Sequence, residues 1–129
     1  MPLLRAFIVE DSPLIRENLI SALEEMVPLT VVGWADNESD ALRWMAENGD
    51  ECDLAILDLF LRSGSGTGIL RTLRDRGSTL ECVVLTNYAT PDIVRRCVNL
   101  GAVRVFDKSR DVDALIEHCL ALHAAATPR

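Results

Sequence analysis

The sequence of 129 residues predicts an α/β fold in which parallel strands are covered by helices on both faces. Short apolar runs alternate strictly with segments of helical periodicity, five times along the chain. The central run, Leu54–Leu57, is apolar at every position. An unbroken apolar run of this length, bounded by polar residues, is typical of a strand that is buried on both faces.

Five apolar runs bounded by polar or turn-forming residues predict the strands. They are residues 3–9, Leu29–Ala35, Leu54–Leu57, 82–85 and 103–106. The second run follows Pro28, which ends the preceding helix. Because a closed parallel barrel needs eight strand–helix units, five units favour an open, doubly wound sheet in the flavodoxin-like order 2-1-3-4-5.

Apolar residues at helical spacing predict a helix after each strand. The predicted helices are Pro13–Met26, 40–48, 68–76, one capped by Thr90-Pro91, and a last one that begins near Val112. Ser12 before Pro13 supplies the first N-cap, with proline at the first helical position. Three glycines are interpreted as C-terminal stops: Gly49, Gly77 and Gly101. Segment 62–68 is too glycine-rich to continue a regular element.

Length and composition predict one domain over 1–129, with an ordered core over about 3–123 and a fraying tail over 124–129. The net charge of -7 argues against direct nucleic-acid binding and against an anionic membrane surface. No stretch has the length of a membrane span, and no signal peptide is recognised. Four cysteines without C-x-x-C spacing are predicted to be buried free thiols, which suits a reducing cytosol: Cys52, Cys82, Cys97 and Cys119.

Polar side chains stand at the ends of four predicted strands. They are Glu10 and Asp11 after the first, Asp58 after the third, Thr86 after the fourth and Lys108 after the fifth. Because the carboxyl ends of parallel strands meet at one edge, these residues should converge. Three close carboxylates need a counter-charge, which Mg²⁺ can supply. A carboxylate can also act as the nucleophile that accepts a phosphoryl group.

With these five residues in this order, the chain resembles the receiver domains of two-component response regulators over essentially its whole length, in their stand-alone form. The resemblance implies that Asp58 accepts a phosphoryl group from the phosphohistidine of a histidine kinase or histidine phosphotransfer protein. It implies catalytic roles for Thr86 and Lys108. It further implies Mg²⁺ ligands at Glu10, Asp11, Asp58 and the backbone carbonyl of Phe60.

The same resemblance implies a cytoplasmic module that is not an enzyme beyond its own phosphorylation and autodephosphorylation. Its output surface is expected on the fourth helix, the fifth strand and the fifth helix, where Arg95 and Arg96 are available. That surface would bind a downstream protein, and a homodimer on phosphorylation is one form of this output. If 129 residues is the natural length, the output is a protein contact or a relay to another histidine.

The chain departs from the family pattern at three places. The family usually has an aromatic switch residue where Val105 stands, three positions before Lys108. It commonly has a proline after the lysine, often after a cis bond; Ser109 stands there, and a non-proline cis bond costs about 3 kcal/mol. A Met-Pro pair after the acceptor is replaced by residues 60–62, so the geometry of both loops is left open.

Three alternatives remain beside a phosphorylation-switched module. They are a phosphorelay intermediate, an interaction module that takes no phosphate, and an aspartyl-phosphate phosphatase. The last would need a second acid two residues after Asp58, where Phe60 stands. Phe60 and Tyr88 flank the expected site, so they either hinder the hydrolytic water or lie elsewhere on the surface. His118 and His123 are interpreted as surface or packing residues.

Overall fold

All five predicted strands form in the computed structural model, which describes residues 2–126. The strands are β1 (Leu4–Val9), β2 (Leu29–Ala35), β3 (Leu54–Leu57), β4 (Glu81–Thr86) and β5 (Arg104–Asp107). The helices are α1 (Pro13–Met26), α2 (Glu38–Asn48), α3 (Gly66–Asp75), α4 (Pro91–Asn99) and α5 (Val112–Ala126). The strands are parallel in the order β2-β1-β3-β4-β5. This confirms the predicted flavodoxin-like fold.

The sheet is buried on both faces, and successive residues of β1 belong to opposite layers. Phe7 and Val9 pack in the layer formed with α2, α3 and α4, whereas Ala6 and Ile8 pack in the layer formed with α1 and α5. All four residues of β3 are buried as well. The continuous apolar runs of the central strands are therefore a consequence of burial on both faces.

The structure confirms the predicted bounds of three elements, α1, β2 and β3. The other strand bounds differ by one residue at one or both ends, whereas α2 and α3 each begin two residues earlier than predicted because a side chain caps them there. In α2, the side chain of Asn37 accepts a hydrogen bond from Asp40 N at 2.8 Å, so the helix begins at Glu38. Such caps satisfy the free N–H groups of a first helical turn.

The glycine-rich segment 62–68 was expected to lie outside regular structure, and this prediction is wrong at its end. Helix α3 begins at Gly66 because the hydroxyl of Ser65 accepts a hydrogen bond from Gly68 N at 3.0 Å. The N-cap outweighs the poor helix propensity of two glycines, since those glycines occupy only the first turn.

Two of the three predicted glycine stops have the left-handed conformation that such stops need. Gly77 and Gly101 have φ values of 69° and 108°. Gly49 does not: its φ is -58°, and the chain continues there as a short 3-10 helix, Gly49–Glu51. Helix α2 therefore continues into a tighter 3-10 helix and does not end at a glycine in the left-handed conformation.

The predicted tail is partly helical, because α5 continues to Ala126. Residues 127–129 lie outside the described residues. Between residues 2 and 126, none of the helices is long and apolar enough to cross a bilayer.

Strand β2 contains a bulge that the sequence did not reveal. The register shifts between Ala6 and Phe7 of the neighbouring strand, which leaves Val32 as the extra residue. Gly33 then faces Trp44 of α2, and the Trp44 ring stacks on Phe7 with centroids 4.1 Å and planes 11° apart. The absence of a side chain at position 33 lets this aromatic stack lie directly against the sheet.

We expect Gly33→Ala to lower the free energy of unfolding by about 1–3 kcal/mol, measured by urea denaturation. A Cβ on Gly33 would lie 2.6 Å from Trp44 Nε1, and the stack on Phe7 keeps the indole from moving away. Gly49→Ala is the control, because a Cβ there meets no atom within 4 Å at a helical φ. It should leave stability unchanged or raise it by about 0.4–1 kcal/mol. Equal effects of the two substitutions would contradict the proposed clash.

Candidate functional site

A cavity of about 220 Å³ opens at the carboxyl end of the sheet. All six residues predicted as site residues line it: Glu10, Asp11, Asp58, Phe60, Thr86 and Lys108. They stand at the ends of β1, β3, β4 and β5, which are neighbours in the sheet. The parallel topology thus brings together side chains that are far apart in the sequence.

Three carboxylates crowd this cavity. Glu10 and Asp58 are buried, and Asp11 is half-buried. Each offers one oxygen atom that lies within 4.8 Å of those offered by the other two. Ionised carboxylates at this separation repel each other, and oxygen is the ligand atom that Mg²⁺ prefers. The donor set therefore fits a small divalent cation.

Lys108 supplies positive charge inside the cavity. Its Nζ donates a hydrogen bond to Asp58 Oδ2 at 2.9 Å and another to Glu10 Oε1. Burial alone would lower the pKa of this ammonium, but hydrogen bonds and charges from Glu10 and Asp58 raise it above its ordinary value. Lys108 is therefore charged at neutral pH, and it joins the ends of β1, β3 and β5.

The Asp58 carboxylate is held from two sides. Its Oδ1 accepts a hydrogen bond from Leu59 N at 2.7 Å, and its Oδ2 accepts the bond from Lys108. Its own backbone N–H donates to Val9 O at 3.0 Å, which fixes the residue against β1. A carboxylate held in one orientation beside an open cavity needs little further ordering before it reacts.

Thr86 is fully buried, and its hydroxyl oxygen accepts a hydrogen bond from Tyr88 N at 3.3 Å. The Tyr88 ring packs edge-on against Phe60, with centroids 5.0 Å apart and planes at 79°. Both rings are more than half exposed, at 59% and 54%. Both residues line the cavity and are exposed at the surface, so whether they hinder the hydrolytic water stays a prediction.

The turn after β5 differs from the geometry that a cis proline gives. Every described peptide bond is trans, including the bond between Lys108 and Ser109. The carboxylate of Asp107 fastens the turn, because its Oδ1 accepts hydrogen bonds from Ser109 N at 2.8 Å and Ser109 Oγ at 2.6 Å. These bonds hold the pKa of Asp107 below its ordinary value. An Asx turn therefore orients Lys108, while Val105 is half-buried against the layer of α4.

The loop between β3 and α3 is fastened by two carboxylates, and the second was not predicted. Arg62 N donates to Asp11 Oδ2 at 2.9 Å, and Ser65 N donates to Glu38 Oε1 at 2.8 Å. A Cβ on Gly68 would lie 2.3 Å from Glu38 Oε1. The glycines of segment 62–68 thus permit a close approach of Glu38. The glycines of the loop are visible in the sequence, but they do not indicate which side chain approaches them.

The histidines and cysteines lie outside the cavity and serve packing. His118 Nε2 is 2.9 Å from a carboxylate oxygen of Glu81, and His123 Nε2 is 3.2 Å from Pro2 O. All four cysteines are buried and free, which confirms the prediction. Burial raises the pKa of Cys82 to about 12, so its thiol is protonated at neutral pH.

A larger cavity of about 610 Å³ lies at the opposite, amino edge of the sheet. Arg5 and Asp53 line it and form an ion pair with 3.0 Å between Nη2 and Oδ1. The hydrogen bond from Arg5 lowers the pKa of Asp53. These two charges neutralise each other. The smaller cavity is the candidate site because three carboxylates and Lys108 line it.

A doubly wound sheet whose carboxyl edge gathers three acids, a hydroxyl and an ammonium is the arrangement expected of receiver domains. The family model described as response regulator receiver domain matches residues 6–120. The chain belongs to this family of two-component signalling proteins. Receiver domains bind Mg²⁺ at an acidic pocket, and this chain has such a pocket at Glu10, Asp11 and Asp58.

Curated relatives agree with this assignment. The chain is 30% identical over 115 residues to the uncharacterized transcriptional regulatory protein YvfU of Bacillus subtilis, covering 89% of this chain and 56% of that protein. It is 29% identical over 100 residues to the DNA-binding transcriptional activator DevR/DosR of Mycobacterium tuberculosis, covering 78% and 45%. The chain thus spans about half the length of these relatives.

Solved structures share the fold. A two-component response regulator of the LuxR family from an Aurantimonas species matches with a TM-score of 0.85 at 24% identity, covering 95% of this chain and 86% of that one. The CheX–CheY–BeF3–Mg²⁺ complex from Borrelia burgdorferi contains a chain that matches with a TM-score of 0.84 at 15% identity, covering 93% and 89%.

Proposed function

We propose that Asp58 accepts a phosphoryl group from the phosphohistidine of a histidine kinase or a histidine phosphotransfer protein. The observation that carries this proposal is the fixed Asp58 carboxylate, which borders the cavity with its Oδ2 2.9 Å from Lys108 Nζ. In the transfer, a carboxylate oxygen of Asp58 bonds to phosphorus and the P–N bond of the phosphohistidine breaks. The electron pair of that bond stays on the imidazole nitrogen.

Lys108 and Thr86 would act on the same phosphoryl group. Lys108 already donates to the acceptor carboxylate, so its remaining N–H can reach an arriving oxygen. The Thr86 hydroxyl accepts from Tyr88 N and keeps its own proton to donate. Both groups would offset the negative charge that transfer spreads over the phosphoryl oxygens. In this proposal the domain is not an enzyme beyond its own phosphorylation and autodephosphorylation.

We assign Mg²⁺ to the acidic cluster, with Asp11, Asp58 and the backbone carbonyl of Phe60 as ligands. Support comes from the three carboxylate oxygens within 4.8 Å of one another. Both oxygens of Glu10 already accept hydrogen bonds, which favours its acting mostly through water. When bound, Mg²⁺ neutralises charge on the phosphoryl oxygens. The family also supports a cytoplasmic location, which we include in the proposal.

Incubation with acetyl phosphate and Mg²⁺ should add one phosphoryl group, which mass spectrometry should locate on Asp58. Asp58→Asn should abolish the adduct because the amide is not a nucleophile here, and Asp11→Ala should raise the Mg²⁺ concentration required. Asp75→Asn, at the exposed end of α3, is the matched control and should keep the adduct. An adduct elsewhere, or one that survives Asp58→Asn, contradicts the assignment.

The same experiment separates the alternatives. A protein that takes no phosphoryl group is a phosphorylation-independent interaction module. Turnover of a generic phosphate ester would indicate a phosphatase, against which the apolar Phe60 at the general-acid position argues. Transfer from Asp58 onward to a histidine phosphotransfer protein would indicate a phosphorelay intermediate.

We propose that the output face consists of α4, β5 and α5. Movement of Thr86 toward a phosphorylated Asp58 would shift residues 87–90, which lead directly into α4. Arg95 and Arg96 are exposed on α4, which suits an acidic protein partner or a second copy of the chain, while the net charge of -7 argues against nucleic acid.

With beryllofluoride and Mg²⁺ as a mimic of the phosphorylated state, amide chemical shifts should change most from residue 86 to α5. The physical reason is that the loop after β4 is the segment tied to Thr86. NMR spectra of the protein with and without the mimic measure this. Shift changes confined to α1 would contradict the assigned face.

We further propose that Phe60 and Tyr88 lengthen the life of the phosphoryl group. Their edge-on ring pair lines the cavity beside Asp58, and a hydrolytic water must approach in line with the leaving oxygen. Phe60→Asn with Tyr88→Ala should speed autodephosphorylation roughly tenfold, a change of about 1.4 kcal/mol in the barrier. The measurement is loss of the Asp58 adduct with time.

Val105→Ala is the control for this pair, because Val105 packs against the core layer and has no ring to move. It should leave both the hydrolysis rate and the conformational change intact. The proposal fails if the double substitution leaves hydrolysis unchanged. It also fails if Val105→Ala abolishes the phosphorylation-dependent change in a folded protein.

A further inference from the structure

A buried arginine lies behind the acidic pair. Arg16, the fourth residue of α1, is only 8% exposed. Its Nη1 donates to the backbone carbonyl oxygen of Glu10 at 2.9 Å, and its guanidinium lies 3.7 Å from the ring centre of Trp34. Among residues 2–126, no carboxylate oxygen lies within 4.0 Å of this guanidinium. A buried charge without an ionic partner is uncommon in proteins.

The two contacts of Arg16 fix one peptide group. Glu10 is held at its carboxylate by Lys108 and Ser12 N, and at its carbonyl by Arg16. That carbonyl belongs to the peptide bond that leads to Asp11. The orientation of this peptide sets the backbone position from which the Asp11 side chain extends, while Arg62 N, which donates to Asp11 Oδ2 at 2.9 Å, holds the carboxylate itself.

The second contact of Arg16 is with Trp34, whose ring centre lies 3.7 Å from the guanidinium. Trp34 is on β2, whose bulge at Val32 precedes it, and its ring is half exposed at 52%. A guanidinium that stacks on an indole face gains about 0.5–2 kcal/mol and keeps its N–H groups free to donate in the ring plane. Trp34 and the Glu10 carbonyl therefore restrain Arg16 from two directions.

We infer that Arg16 is a positioning residue for the Mg²⁺ site: the clamp formed by Trp34, Arg16 and the Glu10 carbonyl holds Asp11 in its ligand position. This inference rests on the proposed function and assigns part of the Mg²⁺ affinity to a side chain that touches neither metal nor phosphoryl group. Partners that orient metal ligands from behind are typically worth 10–100-fold in affinity.

If the charge of Arg16 were its main effect, its removal would change the Mg²⁺ affinity in the opposite direction. A fixed positive charge near the carboxylates repels Mg²⁺, so removal of the Arg16 charge would tighten binding if charge were its main effect. Removal would weaken binding if positioning dominates. The direction of the change in Mg²⁺ affinity therefore decides between the two roles of this residue.

Calorimetric titration of the full chain with Mg²⁺ tests the inference. Arg16→Gln should weaken binding by roughly 10–100-fold. Trp34→Leu should weaken it less, whereas Trp34→Phe should stay near wild type because an aromatic face remains. Arg16→Gln with Trp34→Leu should match Arg16→Gln alone, since the ring acts through the guanidinium. Arg43→Gln, an exposed arginine on α2, is the control and should change nothing.

A purely structural role would lower stability without changing Mg²⁺ affinity. Urea denaturation and circular dichroism of each metal-free variant measure that separately, and amide hydrogen exchange at Asp11 and Ser12 should become faster in Arg16→Gln. Unchanged or tighter Mg²⁺ binding by folded Arg16→Gln overturns the inference. If Arg16→Gln does not fold, equal Mg²⁺ affinities of Trp34→Leu and Trp34→Phe overturn it.

The outcome is distinguishable from failure of the proposed function. Wild-type protein that binds Mg²⁺ but takes no adduct on Asp58 overturns the proposed function and leaves the inference to be decided by the titrations. An Asp58 adduct together with an unchanged Arg16→Gln affinity overturns the inference alone. Wild-type protein that binds no Mg²⁺ overturns both.

Discussion

Repulsion among three carboxylates at one sheet edge is the constraint on which the rest of this structure depends. A parallel sheet places every strand end at that edge, so the fold itself creates the crowding. Lys108 offsets it by donating to both Asp58 and Glu10. The pairing of Thr86 with Asp107 in the β4–β5 register puts Lys108 one residue beyond the strand, within reach of the centre. The contact that ties β5 to β1 and β3 is therefore also the centre of the site.

Sequence patterns predicted the order of elements and the convergence of the site, because both follow from local periodicity and one topological rule. The position of Asp58 follows from the buried run before it and from the rule that parallel strands end together, whereas its role as acceptor was inferred from the four other strand-end residues and the family resemblance. The roles of Glu38 and Arg16 were not predicted from the sequence. They depend on contacts with residues 27 and 6 positions away, through loops whose geometry no local pattern specifies. The bulge at Val32 was not predicted either, because it depends on the register between two paired strands, which the sequence of a single strand does not specify.

The glycines show why composition was ambiguous in the loop after β3. A glycine-rich stretch is consistent with mobility, with positive φ, or with close packing against another group. Here Gly64 has a φ of 79°, and a Cβ at either Gly64 or Gly68 would lie 2.3 Å from a Glu38 atom. The loop is thereby docked on α2 and on Asp11 rather than free. These two bonds fasten the backbone at Arg62 and Ser65, on the loop that also contains Phe60.

Glu10 is held by two cations whose contacts differ in kind, and that difference suits a switch. Lys108 binds the Glu10 carboxylate and the acceptor, so on the proposed function its hydrogen bonds are shared with the phosphoryl oxygens once Asp58 is modified. Arg16 binds a backbone carbonyl, which carries no charge for the phosphoryl group to displace. A site that switches between two states needs an exchanging contact, which changes its hydrogen-bond partner, and a frame of surrounding contacts that stays the same in both states. On the proposed function, Lys108 would provide the exchanging contact, while Arg16, which packs on Trp34, would provide the frame.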